Sequence, residues 1–188
     1  METAATVTHP VDIAYVCANF LTLEELCRGC GIPEETVRRE LAGGTRARAA
    51  YRFGDGREFF PRNYFAVCFE RDEFFARMRH AAKRDTVEFS QTDLDGAWQT
   101  YLAGIYFVCL NEATPENIVR KNALLQRIER LVSDPHEADS SWFRTLRESV
   151  DALDSLERPF SPYFDRVIFG RPPTRDSHIR DVRVRFGV

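Results

Sequence analysis

Thr22-Leu-Glu-Glu-Leu-Cys-Arg-Gly-Cys-Gly-Ile-Pro-Glu-Glu-Thr-Val-Arg-Arg-Glu-Leu41 carries the punctuation of two short helices joined by a tight turn. Thr22 with Glu25 three residues on is a capping-box pattern. Gly29 or Gly31 ends the first helix, and Pro33 stands at the favoured first position of the second. Gly43-Gly44 stops that second helix. Tyr51-Arg-Phe-Gly-Asp-Gly-Arg-Glu-Phe-Phe60 then sets an Asp-Gly turn between two aromatic runs, as in a β-hairpin. A helix-turn-helix followed by a hairpin predicts a winged-helix-like module, here at residues 8–66. Ile13, Val16, Cys17 and Phe20 give it a first helix over 12–21.

The remainder, residues 67–188, reads as a helical domain with a short C-terminal strand, so the fold class is mainly α. A long helix is expected from Asn63 or Tyr64 through Arg84. Thr92 is read as the cap of another, with Leu94, Trp98, Tyr101, Leu102, Ile105, Val108 and Cys109 on its inner stripe. Thr114-Pro115 opens the next, and Ser140 or Ser141 caps a third carrying Trp142, Leu146, Val150, Leu153 and Leu156. Ser161-Pro162 starts a short helix that Gly170 stops. Val182-Arg-Val-Arg-Phe186 alternates with period two and predicts a strand.

Composition narrows the function classes. The 188 residues carry a net charge of −3, so no global field draws the protein to nucleic acid. Two segments are locally basic, 37–64 and 166–188. Within the first, Arg46, Arg48, Arg52 and Arg57 could meet a phosphate backbone. The second helix of the pair nevertheless begins with Glu34 and Glu35, where a DNA reader approaches base edges, so DNA binding is disfavoured. The N-terminus lacks the basic start and apolar core of a signal peptide, and no run approaches the length of a membrane span. An odd set of five cysteines spread through helices fits reduced thiols and a cytoplasmic location. Cys27-x-x-Cys30 supplies two of the four ligands a structural zinc needs, so no metal is expected. Phosphate loops, dinucleotide fingerprints and nucleophile elbows are missing, and no cofactor is expected.

Polar groups on apolar helix faces are the candidate site residues. Lys121 lies beside Ile118 and Leu125, where a charge is costly unless paired. It is either desolvated for chemistry or snorkels to solvent. Tyr101, Tyr106, Asn117 and Glu157 are placed similarly. Thr174-Arg-Asp-Ser-His178 is a polar cluster that a capped turn would also explain. The expected site groups Lys121 and His178 as proton carriers with Tyr101, Tyr106, Arg175 and Asp176 as binding residues. Its pocket is expected between the N-terminal module and the helical domain.

Several motifs carry a resemblance to a known family. They are Leu23-Glu-Glu-Leu-Cys27, Asp55-Gly-Arg-Glu-Phe-Phe-Pro-Arg-Asn-Tyr64, Tyr101-Leu-x-Gly-x-Tyr-x-Val-Cys-Leu110, Thr114-Pro-Glu-Asn-Ile-Val-Arg-Lys121, Asp151-Ala-Leu-Asp-Ser-Leu-Glu-Arg-Pro-Phe160 and Phe169-Gly-x-Pro-x-Thr-Arg-Asp176. Together they resemble a bacterial family of unknown function, labelled natural product biosynthesis proteins because members lie in antibiotic-type gene clusters. The resemblance implies a cytoplasmic accessory protein or enzyme of secondary metabolism. Such a protein would bind a small molecule or a carrier- or enzyme-bound intermediate, and the resemblance carries no catalytic residues. Locally, the helix-turn-helix also resembles the winged helix of MerR-type regulators, from which Glu34-Glu35 departs. The alternatives are therefore a DNA-binding regulator of a biosynthetic gene cluster and a non-catalytic docking partner of a biosynthetic enzyme. No membrane partner is expected.

Overall fold

The computed structural model of the chain describes residues 6–168 and 173–188. It is mainly helical, with a small three-stranded antiparallel sheet. Helix α1 (Pro10–Asn19) leads into β1 (Phe20–Thr22), followed by α2 (Leu23–Cys30) and α3 (Glu34–Ala42). Thr22 and Glu25 close the capping box reciprocally, and Gly31 ends α2 in the left-handed region at φ 67°. Pro33 is the N-cap of α3, one residue before the expected position. The Asp-Gly hairpin joins β2 (Tyr51–Arg52) to β3 (Glu58–Pro61).

Phe20 continues the apolar spacing of α1 and predicts helix as far as Leu21, but the chain leaves the helix at Asn19 and forms β1. Its backbone partners come from β3, which pairs Phe20 with Pro61 and Thr22 with Phe59. Successive residues of β3 point to opposite faces. Phe59 joins Val16, Phe20, Tyr51 and Phe53 on one side. Phe60 joins Tyr64, Leu26 and Val37 on the other, in the largest cluster, which continues into Phe74, Trp98, Tyr101 and Phe107.

The helical part runs α4 (Arg71–Asp85), α5 (Gln91–Leu102), α6 (Ile105–Cys109), α7 (Pro115–Ser133), α8 (Ser140–Leu156) and α9 (Phe164–Ile168). Thr114 caps α7 with Pro115 first, as predicted, while Asp139 rather than a serine caps α8. Gly170, the expected stop after α9, lies outside the described residues.

Two predicted helices are interrupted. The chain from Tyr64 makes a 3-10 turn to Val67 and becomes extended at Cys68 before Arg71 starts α4. The Tyr101 hydroxyl holds this break, donating to Val67 O at 2.7 Å and accepting from Phe69 N at 3.2 Å. The helix expected to start after Thr92 starts instead after Ser90, capped by a box with Asp93, and stops at Leu102. Gly104 then turns the chain at φ 78° into α6, because the backbone of Arg48 and Ala49 passes so close that only a glycine fits.

The C-terminal strand is corrected to a helix. A π-helical turn, Arg175–Arg180, runs into α10 (Asp181–Phe186). Ile179, Val182 and Phe186 form a helical stripe buried against Trp142, Leu146 and Val150 of α8, whereas Val184 is 80% exposed. The alternation of Val182, Val184 and Phe186 suggested a strand, but α8 offers a helix face and no strand edge. Arg183 fixes the register with ion pairs to Asp151 and Asp154.

Candidate functional site

Helix α7 presents Ile118, Lys121, Asn122 and Leu125 along one face, at the spacing of a single helical stripe. Opposite stand Ile105, Tyr106 and Cys109 of α6, with Thr100 of α5. Phe160, Pro173 and Thr174 close the third side, around a cleft of about 440 Å³. Its walls are chiefly apolar, and Cys109, Lys121 and Thr174 bring polar atoms together within it.

These polar groups are positioned by a backbone bridge. Leu110 pairs antiparallel with Glu157, Asn111 N donates to Leu156 O at 3.1 Å, and Arg158 N donates to Cys109 O at 3.2 Å. The end of α6 is thereby held against the end of α8, bringing Cys109 beside Glu157. Lys121 Nζ reaches Glu157 Oε1 at 2.7 Å; the two side chains are 11% and 0% exposed. Thr174 Oγ1 donates to the same carboxylate oxygen, and Oε2 has no hydrogen-bond partner among the described residues. Behind the pair, Arg175 donates to Glu157 O at 3.0 Å and to the carboxylate of Asp154.

The electrostatics set the protonation states. Burial alone would push the Lys121 ammonium down, but Cys109 and Glu157 outweigh it, and its pKa lies above the ordinary lysine value. Burial raises the Cys109 thiol, opposed in part by Lys121. At neutral pH Lys121 is therefore an ammonium and Cys109 a neutral thiol. Burial likewise pushes the Tyr106 hydroxyl up to about 12, so it remains a neutral phenol.

Of the residues singled out from sequence, Tyr106 and Lys121 line the cleft, and Arg175 supports it from behind. Tyr101 is 1% exposed and spends its hydroxyl on the Val67–Phe69 break. Asp176 is paired with Arg166 and Arg180. His178 sits between Ser177 and Glu129, with Nε2 3.1 Å from the Glu129 carboxylate. Those three do not line the cleft. Asn117 is used locally, donating to Glu112 O at 3.0 Å. Cys109, Phe160 and Thr174 are lining residues that sequence reasoning did not select. Cys109 read as one more member of an apolar stripe, Phe160 lies in irregular chain that carries no periodic signal, and Thr174 read as the start of a capped polar turn.

Among the described residues, no group of His, Cys, Asp and Glu could hold a metal ion. No helix among the described residues is long and apolar enough to cross a membrane. No curated protein and no solved structure matches the chain. A family model does match, over residues 58–187, a span that contains every residue lining the cleft. The chain thus belongs to DUF6058, a family of unknown function.

Proposed function

We propose that the chain binds an amphipathic small molecule, or the acyl part of an enzyme- or carrier-bound intermediate, in the cleft between α6 and α7. The reading rests on one observation: an apolar cleft lined by Lys121, whose ammonium is paired with the buried Glu157 behind it. Pockets with apolar walls and a few convergent polar groups are the usual form of small-molecule sites. Lys121 has three donor hydrogens. Glu157 faces one of them, leaving donor capacity for a ligand acceptor. Since Glu157 already balances the ammonium, a neutral acceptor such as an ester, thioester or amide carbonyl suits the site. A carboxylate would add an unbalanced buried charge. This chemistry accords with the secondary-metabolism role that the sequence resemblance implies, as a binding or accessory protein or as an enzyme.

The test is displacement of an environment-sensitive apolar dye by methyl decanoate and by decanoate. The ester is expected to displace at lower concentration than the carboxylate. Ile105→Arg, a substitution at the partly exposed rim, is expected to weaken dye binding. Equal displacement by both compounds, together with unchanged dye binding in Ile105→Arg, rejects the reading.

A regulator that reads DNA is the second reading. It is supported by the order α1-β1-α2-α3-β2-β3 with sheet order β1-β3-β2, which suits a winged helix. Charge opposes it. Arg38 is within ion-pair reach of Glu34 and Arg39 of Glu35, each one turn back on α3, and Arg57 of the hairpin pairs with Asp55. Steeply salt-dependent binding to promoter DNA from its own gene neighbourhood would favour this reading, and no gel shift at low salt excludes it.

A further inference from the structure

Another face of α7 lines a separate groove. Arg120, Arg127 and Arg130 border a space of about 500 Å³ whose other side is formed by Glu148, Ser149 and Ala152 of α8. The spacing i, i+7, i+10 keeps the three arginines within about 80° around the helix and spreads their origins over roughly 15 Å, a distance long side chains can close.

These three arginines border one groove, and no carboxylate among the described residues pairs with any of them. Arg71, Arg77, Arg84, Arg175 and Arg183 each meet a carboxylate of the fold. Arg120 and Arg127 meet none among the described residues, and Arg130 makes only a bond to Gln126 O of its own helix, at 3.3 Å. Two acidic residues share the groove. Asp85 is engaged by Arg84 at 3.0 Å, and Glu148 has no basic partner among the described residues. An anion would therefore lie against α7 and away from Glu148.

We propose that this groove is a second binding site, for a small molecule bearing a phosphate or diphosphate group. Planar guanidinium forks match phosphate oxygens in pairs of hydrogen bonds. The volume is that of an ordinary small-ligand site. The site is independent of the cleft, since it uses different residues of α7 and none from α6.

Isothermal titration of the full chain with inorganic pyrophosphate and with inorganic phosphate, at low ionic strength, tests it. Arg120→Gln and Arg127→Gln are each expected to weaken pyrophosphate binding about tenfold. Glu148→Gln is expected to tighten it several-fold, and Arg144→Gln, an exposed α8 arginine outside the groove, to leave it unchanged. Three results would overturn the proposal: no binding of either anion, an Arg120→Gln/Arg127→Gln variant that binds as tightly as the wild type, or an equal loss in Arg144→Gln. The last would mean diffuse attraction rather than a site. All four positions are exposed, so circular dichroism should show the native fold in every variant.

Discussion

Replacing Lys121 with methionine leaves Glu157 as a buried carboxylate without its counter-charge. The Glu157 side chain is 0% exposed; once the ammonium is gone, its Oε1 keeps only Thr174 as a donor and Oε2 has none among the described residues. Breaking a buried pair from one side costs about 3–5 kcal/mol, most of it the penalty on the stranded charge. In a domain of this size each kcal/mol moves Tm by roughly 2–4 °C, so Lys121→Met should lower Tm by about 6–20 °C. Total stabilities are of order 5–15 kcal/mol, so the variant should still fold at low temperature. Removing the second charge as well, in Lys121→Met/Glu157→Gln, should recover more than half of the loss. Urea denaturation of the two single variants and the double variant, followed by circular dichroism, gives the coupling energy directly. A Lys121→Met loss below about 1 kcal/mol, or a double variant as unstable as the sum of the singles, would refute the reasoning.

Gly104→Ala should be among the most damaging single-atom changes, because φ is 78° and the added Cβ would lie 2.6 Å from the carbonyl oxygens of Arg48 and Ala49. A loss of about 3 kcal/mol or more is expected, against about 1 kcal/mol for Gly31→Ala, which is equally left-handed but meets nothing within 4 Å; equal losses in urea would contradict this. Asp154 gives a pH signature. Burial pushes its carboxyl up, but Arg183 and Arg175 more than offset this, so its pKa lies below the ordinary 3.8. A lowered folded pKa contributes stability above 3.8 that is lost as pH falls through the folded value. Asp154→Asn should therefore cost about 1–2 kcal/mol at pH 7, with the gap to the wild type narrowing below pH 3.8; a gap independent of pH in urea titrations would argue against the assignment.

The features legible in the sequence are those decided within about four residues of chain. Thr22 with Glu25, Thr114 before Pro115, and the Asp-Gly turn between Arg52 and Glu58 all form as their spacing predicts. Each depends on a side chain satisfying nearby backbone groups or on a turn's own dihedral preference. The mainly α character followed from apolar stripes of the same local kind. Beside Ile118 and Leu125, Lys121 must find a partner or reach solvent; snorkelling is the commoner expectation, and the chain instead pairs it with Glu157.

What only the tertiary structure decided involves partners distant in sequence. Tyr101 breaks the helix expected over 64–84, the passing backbone of Arg48 and Ala49 requires the turn at Gly104, and β3 draws Phe20 out of the first helix. The last segment shows the same competition. Val182 and Phe186 satisfy both a strand and a helix pattern, and the α8 surface chose the helix that buries Ile179 with them. The cleft itself depends on the Leu110–Glu157 bridge, which sets Cys109, Lys121 and Glu157 together from three separate stretches of chain. Polarity alone groups His178 and Asp176 with Lys121, but their side chains are taken up by Glu129, Arg166 and Arg180 on other surfaces. A local pattern fixes which residues need partners, whereas long-range packing determines which partners they receive.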